Sequence, residues 1–143
     1  MSESRSLRVI CIGAGITGLA VAIALRGHVS SLVLLESAES VEKMNVRAAG
    51  LGLYPNSVSV LRESLGIDPL KDIRATPGKL IRRFNWHGEK EFEMVLPGPD
   101  WYWAHRGSLL DALLDKAVSK EGNGEPAKLL LGKRVVEVVR RHL

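Results

Sequence analysis

Short apolar runs and one helix-like pattern alternate over the first forty residues. Leu7–Ile12 is rich in β-branched residues and ends at a glycine, which predicts a buried strand. Ile16–Arg26 is rich in Ala and Leu and stops at Gly27, which predicts a helix. Ser31–Glu36 predicts a second buried strand. Two buried strands joined through a helix form a βαβ unit, with parallel strands and a right-handed crossover.

The middle of the chain is less regular. Ser37–Gly52 is predicted to be mostly loop, and a helix is predicted from Pro55 to the region of Gly66. Ile67–Pro77, with two prolines, is predicted to be a loop. Gly78–Leu96 alternates with a period of two on either side of a turn, which predicts a β-hairpin with one apolar face.

The last third of the chain returns to short elements. Trp101–His105 predicts a strand and Ser108–Lys120 an amphipathic helix. After the turn cluster EGNGEP, Lys128–Arg140 alternates again and predicts one or two strands. The order predicts an α/β fold, a Rossmann-like βαβ domain with an inserted β-hairpin.

Composition narrows the functional classes. The chain has 143 residues, 45% of them hydrophobic and 25% charged, which is typical of one globular domain. The net charge of +4 comes from scattered basic pairs, so we expect a mixed solvated surface and no nucleic-acid binding. The single cysteine, Cys11, excludes an internal disulfide. No apolar run reaches the roughly 20 residues of a membrane span, and we expect a cytoplasmic protein.

Three glycines follow the first predicted strand in a G-x-G-x-x-G spacing. Gly13 allows a tight turn, Gly15 allows a pyrophosphate to approach the backbone, and Gly18 allows the helix to pack against the strand. The free N–H groups and the dipole at the start of the helix favour an anion. Because this spacing lies inside a βαβ unit, it predicts a dinucleotide site more strongly than the spacing alone.

An acidic residue supports this hypothesis. Glu36 ends the second strand, 18 residues after Gly18, where a carboxylate accepts hydrogen bonds from the adenosine ribose. The same carboxylate repels a 2′-phosphate, which disfavours NADP. The glycine spacing does not separate NAD from FAD.

Three further segments carry a family resemblance: VRAAGLGLYPNSVSVLRESLGI, the hairpin near Phe84–Met94, and YWAHRGSLLDALLDKA. With GAGITGLAVAIAL and LLE before them, they resemble the N-terminal part of FAD-dependent aromatic monooxygenases, the group of p-hydroxybenzoate and salicylate hydroxylases and their fungal relatives. AGLGLYPNS is similar to that family's GAGIGLPPNA, HRGSLLDALL to its HRADLHRALL, and LGKRVVEV to the strand that follows. The resemblance extends from about Leu7 to Val139.

The resemblance implies an FAD site. Glu36 would bind the adenosine ribose, and the residues around the pyrophosphate would be Gly13, Ala14, Gly15, Thr17 and Gly18. Arg47, followed by Ala49 and Gly50, lies where the family's loop returns to the cofactor, and Arg47 is either a pyrophosphate partner or a solvated residue. Arg106 matches the arginine of the HR motif, which contacts FAD in the family, and a guanidinium suits phosphate. Val135 lies against the adenine or packs in the core.

Three positions depart from the family pattern. Ser37 stands where the family often has Arg or Lys, Ala48 where it usually has Gly, and Tyr54 where it usually has Pro. These changes are expected to alter loop geometry near the flavin without removing the site.

The family's activity would be hydroxylation of a small aromatic substrate with NAD(P)H and O2. Family members continue with a Gly-Asp motif and a β-rich substrate domain. We therefore expect residues 1–143 to be a partial FAD-binding domain that lacks the substrate domain and is inactive alone. We assign no catalytic residue and no metal site. One alternative is a truncated paralogue that does not catalyse and binds FAD or a partner, with an exposed sheet edge open to association. Another is an NAD-dependent oxidoreductase domain, against which the hairpin argues.

Overall fold

A computed structural model describes residues 7–44 and 49–139 of the chain. The elements in chain order are β1 (Arg8–Ile12), α1 (Ile16–Leu25), β2 (Ser31–Leu35), α2 (Val41–Met44), β3 (Gly50–Leu53), α3 (Pro55–Ser59), a π-helical turn (Val60–Ser64), β4 (Thr76–Pro77), β5 (Leu80–Phe84), β6 (Lys90–Val95), β7 (Tyr102–His105), α4 (Arg106–Val118) and β8 (Lys128–Leu130). They fall into two compact units. The first contains β1, α1, β2, α2, most of α4 and β8, and the second contains β3 to β7 with α3.

The first unit is built on a parallel sheet with the strand order β1-β2-β8. Val9 pairs with Leu32 and Cys11 with Leu34, so the predicted βαβ unit is confirmed to within a residue at each boundary. Leu34 is fully buried, and a methyl group placed on Gly18 would lie 3.9 Å from its Cδ2 atom. Helix α1 therefore covers the face of the sheet that carries Leu32 and Leu34.

Strand β1 is less buried than its apolar sequence predicts. Ile10 is 63% exposed and Ile12 is 60% exposed. Because side chains alternate across a strand, these two residues lie on the face opposite α1. A continuous apolar run indicates a strand with both faces covered, whereas the described residues cover only one face of β1.

The strand predicted over Lys128–Arg140 is shorter than expected, since β8 ends at Leu130. Beyond it, the Gly132 N–H donates to the Ala38 carbonyl at 2.8 Å and the Lys133 N–H donates to the Glu36 carbonyl at 2.7 Å. These bonds hold the segment beside the end of β2. From residue 134 to 139 no strand partner is found in the described part of the chain, so the alternating sequence forms no ladder there.

The second unit has an antiparallel sheet, β3-β7-β4, and α3 and the π-helical turn lie between β3 and β4 in the chain. Pro55 opens α3 as predicted, and Gly66 follows the helical segment in the left-handed conformation with φ +62°. The loop prediction for residues 37–52 was wrong in part, because it contains α2 and the start of β3. The core side chains of this unit include Val58, Leu61, Ile67, Ile73 and Tyr102.

The hairpin β5–β6 forms where the alternation predicts it, but the prediction that it has a single apolar face was wrong. Met94 pairs with Ile81 and Phe92 with Arg83, whereas Leu80 pairs with Val95. Directly paired residues share a face, so Phe92 and Met94 lie on the side opposite Leu80. The register, which local alternation does not fix across a turn, divides the apolar side chains between two faces.

Candidate functional site

The turn between β1 and α1 requires glycine at two of its three glycine positions. Gly13 has φ +93°, in the left-handed region, and its N–H donates to the Leu35 carbonyl at 2.7 Å. A Cβ atom on Gly18 would lie 2.0 Å from the Gly13 carbonyl oxygen, so α1 packs directly against the turn. These two positions are explained by the fold of the unit.

Gly15 has no such structural reason among the described residues. Its φ of −75° and ψ of −177° suit any amino acid, and a Cβ atom there would meet no described atom within 4 Å. A Cβ on Gly13 would also project into open space. The turn therefore has an open side at which a ligand can approach the backbone closely.

The start of α1 suits an anion. Gly15 is the N-cap residue, no side chain of the described chain caps the helix, and the first turn contains no acidic residue. The N–H groups of the first turn are therefore free of side-chain partners and carry the positive end of the helix dipole. Thr17 lies exposed in this turn. Such a helix terminus is favourable for a phosphate group.

Glu36 connects the end of β2 to the glycine turn. Its carboxylate accepts hydrogen bonds from the Ala14 N–H at 2.9 Å, the Ala38 N–H at 2.8 Å and the Ser37 hydroxyl at 3.1 Å. Partial burial raises the pKa of the carboxyl, but the hydrogen bonds from Ala38, Ala14 and Ser37 outweigh it and lower the pKa below its ordinary value. The side chain is therefore an ionised acceptor at neutral pH, as recognition of a ribose diol requires.

A cleft of about 200 Å³ brings several of these residues together. Its lining residues are Ile12, Gly13, Leu35, Glu36, Ser37, Lys133, Arg134 and Val135. Gly13, Glu36 and Val135 were all predicted from the sequence to serve one site, although they lie far apart in the chain.

Lys133 and Arg134 line the same cleft and were missed. In the sequence they belong to the basic pairs that we interpreted as solvated surface. The only available signal was that they directly precede Val135. The bond from the Lys133 N–H to the Glu36 carbonyl places both cations beside the acidic residue.

The second unit holds three more of the predicted residues. The Arg106 N–H donates to the Ala49 carbonyl at 2.8 Å, and Gly50 pairs with His105. The structure thus brings Ala49, Gly50 and Arg106 together at the end of the β3–β7 ladder. The Arg106 guanidinium makes no hydrogen bond or ion pair among the described residues and is half-buried. Arg47 and Ala48 lie outside the described residues.

A shallow cleft of about 340 Å³ lies along β3 and β7 and includes Gly50 and Trp103 in its lining. Its lining is mostly apolar and includes His105. Across residues 7–44 and 49–139, no group of His, Cys, Asp and Glu side chains is arranged to hold a metal ion. Within the same residues, no helix is both long and apolar enough to cross a membrane.

Comparison with known proteins relates this chain to two fungal enzymes. It is 32% identical over 148 residues to the FAD-dependent monooxygenase cfoG of Aspergillus candidus, covering 95% of this chain and 32% of that protein. It is 30% identical over 142 residues to the hispidin-3-hydroxylase of Neonothopanus nambi, covering 94% of this chain and 32% of that protein. The chain therefore spans about a third of the length of these relatives. No protein-family model matches the sequence.

Solved structures agree on the fold. The tetrameric form of 2-methyl-3-hydroxypyridine-5-carboxylic acid oxygenase superposes with a TM-score of 0.71 at 23% identity, over 90% of this chain and 32% of that one. The 2,6-dihydroxypyridine-3-hydroxylase of Arthrobacter nicotinovorans gives a TM-score of 0.65 at 19% identity, over 95% of this chain and 31% of that one. At these identities the likeness establishes the α/β fold with its parallel βαβ sheet and antiparallel hairpins.

Proposed function

We propose, from the relation of this chain to the N-terminal third of FAD-dependent aromatic monooxygenases, that it binds FAD through the glycine turn, the start of α1 and Glu36. The observation that carries the proposal is the open space at Gly15. No packing or backbone requirement among the described residues calls for glycine there, whereas a pyrophosphate approaching the backbone does.

The residues present fit the ADP half of the cofactor. The first N–H groups of α1 would donate to the pyrophosphate, and the Glu36 carboxylate would accept hydrogen bonds from the ribose hydroxyls. The cleft lined by Glu36 and Val135 would take the adenosine. Lys133 and Arg134 on its wall would add attraction for the anionic pyrophosphate.

Arg106, in the second unit, is proposed separately as a phosphate-binding residue. Its guanidinium has no partner among the described residues, and a free guanidinium suits a phosphate as a bidentate donor.

Bound FAD would supply the redox chemistry, namely the acceptance of electrons from NAD(P)H and the activation of O2. We propose hydroxylation of an aromatic substrate as the activity of a protein that contains this chain and has the full length of the fungal relatives. The cytoplasm, which supplies NAD(P)H, is the compartment we propose.

Titration of the purified chain with FAD, followed by flavin fluorescence and calorimetry, tests the proposal. We expect saturable binding with one site. Gly15→Ala places a methyl group in the open space and should abolish FAD binding while leaving the unfolding midpoint unchanged. Absence of FAD binding by the folded wild-type chain would refute the proposal, as would unaltered affinity in the Gly15→Ala variant.

Competition with NAD and ADP separates FAD from the nicotinamide alternative. ADP and NAD both carry the recognised ADP half, so each should compete for the site, and FAD should bind more tightly than either if the site is built for FAD. Tighter binding of NAD than of FAD would favour the NAD-dependent oxidoreductase domain instead.

A further inference from the structure

Strand β7 passes into helix α4 with no loop between them. His105 is the last residue of the strand and Arg106 is the first residue of the helix. His105 pairs with Gly50 in the β3–β7 ladder, and the Arg106 N–H donates to the Ala49 carbonyl at 2.8 Å. The sheet of the second unit therefore fixes the backbone of Arg106 on its N-terminal side.

The His105 side chain fixes the other side. Its Nδ1 atom accepts a hydrogen bond from the Gly107 N–H at 3.2 Å. A side chain that accepts from the second residue of a helix is an N-cap, so His105 caps α4. Gly107 is buried, and a buried N–H that loses its acceptor is costly because water does not replace it.

The first turn of α4 is intrinsically weak. It contains Gly107, and glycine has a lower helix propensity than alanine. It contains no acidic residue, whereas its first residue is the cation Arg106, which the positive end of the helix dipole disfavours. The hydrogen bond to His105 therefore stabilises the turn from which the Arg106 side chain projects.

We infer that His105 is a positioning residue for Arg106, which it holds ready to bind a phosphate group of FAD by capping the first turn of α4. The Arg106 guanidinium makes no bond of its own among the described residues, so its place is set through its backbone. A side chain that projects from a fixed backbone loses less entropy on binding. The inference rests on the proposed function and does not require that His105 touches the cofactor.

Two substitutions of His105 separate its acceptor atom from its ring. His105→Phe keeps an aromatic ring and removes the acceptor, whereas His105→Asn keeps an acceptor oxygen at the same number of bonds from Cβ and is a favourable N-cap. His87→Phe makes the same chemical change at an exposed position in the turn between β5 and β6, and is the control. FAD affinity should fall about three- to tenfold in His105→Phe and stay within about twofold of wild type in the other two variants.

A double-mutant cycle tests whether His105 acts through Arg106. In the Arg106→Met background the guanidinium that His105 positions is absent. Adding His105→Phe to that background should therefore change FAD affinity by less than about twofold. A residue that contacts FAD directly would lower the affinity equally in both backgrounds.

Amide hydrogen exchange of Gly107, measured by NMR without FAD, tests the capping bond by itself. The Gly107 amide should be protected in the wild-type chain and in His105→Asn. In His105→Phe its exchange should be at least about tenfold faster, since the start of the helix opens more often.

Three results would overturn the inference. The first is an unaltered rate of Gly107 exchange in His105→Phe, and the second is an unaltered FAD affinity in that variant. The third is an equal loss of affinity in the wild-type and Arg106→Met backgrounds. A wild-type chain with a protected Gly107 amide that binds no FAD would refute the proposed function and this role of His105 together. That result differs from a chain that binds FAD equally with and without the His105 acceptor, which refutes the positioning role alone.

Discussion

The Glu36 carboxylate accepts a hydrogen bond from the Ala14 N–H at 2.9 Å, across 22 positions of sequence. This bond fixes the end of β2 to the turn that follows β1. It keeps an ionised acceptor beside the open side of the glycine turn, where the proposed cofactor would lie. The same bond contributes to the stability of the βαβ unit, so that stability should change with pH and on substitution of Glu36.

Glu36 should make the stability of the first unit dependent on pH in the acid range. Its pKa in the folded protein is below the ordinary value of 4.5, so in the range between the two values the folded state binds fewer protons than the unfolded chain. Its stabilisation is therefore present above about pH 4.5 and is lost as the pH falls through the folded pKa. Urea unfolding of wild type and Glu36→Gln at several pH values should show a stability difference that shrinks on acidification. A difference that stays constant would contradict the assignment.

Gly18→Ala should destabilise the chain. The added Cβ would lie 2.0 Å from the Gly13 carbonyl oxygen, a backbone atom that moves only if the turn or α1 moves. We expect a loss of about 2–3 kcal/mol in the free energy of unfolding, as is typical of overpacking. Chemical denaturation measures it, with Gly15→Ala as the matched glycine control because its Cβ meets open space. Equal stabilities of the two variants would contradict this description of the turn.

Arg26 should be important for the stability of the first unit. This side chain is 8% exposed, and its guanidinium donates to the carbonyls of Lys116 at 2.8 Å and Ser119 at 2.9 Å, at the end of α4. Arg26→Met would leave these carbonyls without donors, at a cost of about 3 kcal/mol. Arg83→Met is the control, since Arg83 forms an exposed pair with Glu91 worth at most about 1 kcal/mol. Denaturation midpoints that fall equally in both variants would show that the capping role is wrong.

Lys133 and Arg134 should strengthen FAD binding modestly. Both line the cleft beside Glu36 and are solvent-exposed, so each should contribute about 0.5–1 kcal/mol of attraction for the pyrophosphate. Replacing either by Gln should weaken FAD affinity about two- to fivefold, and raised salt should reduce the difference from wild type. Lys120→Gln, at an exposed position beyond the end of α4, is the control. Affinities that are the same in all three variants would argue against an electrostatic role for this wall.

The local sequence of the βαβ unit determined its structure closely. The apolar runs, the helix pattern and the glycine spacing gave β1, α1 and β2 to within a residue. They also predicted that Glu36, at the end of the second strand, serves the same site as the glycine turn. This succeeds because adjacent parallel strands joined by one helix leave few alternative arrangements. Gly13 and Gly18 could be explained in advance, since a positive φ and a close helix contact are properties of the turn itself.

Tertiary structure decided what depends on partners distant in sequence. Arg26 caps a helix end 90 residues away, and Lys133 and Arg134 join the Glu36 cleft only because their segment runs beside β2. The hairpin's apolar side chains divide between two faces because the cross-strand register sets which residues share a face. The sequence shows that β1 is apolar but not which of its faces is covered, because burial depends on which element packs against each face. In this chain α1 covers one face, and Ile10 and Ile12 stay exposed on the other.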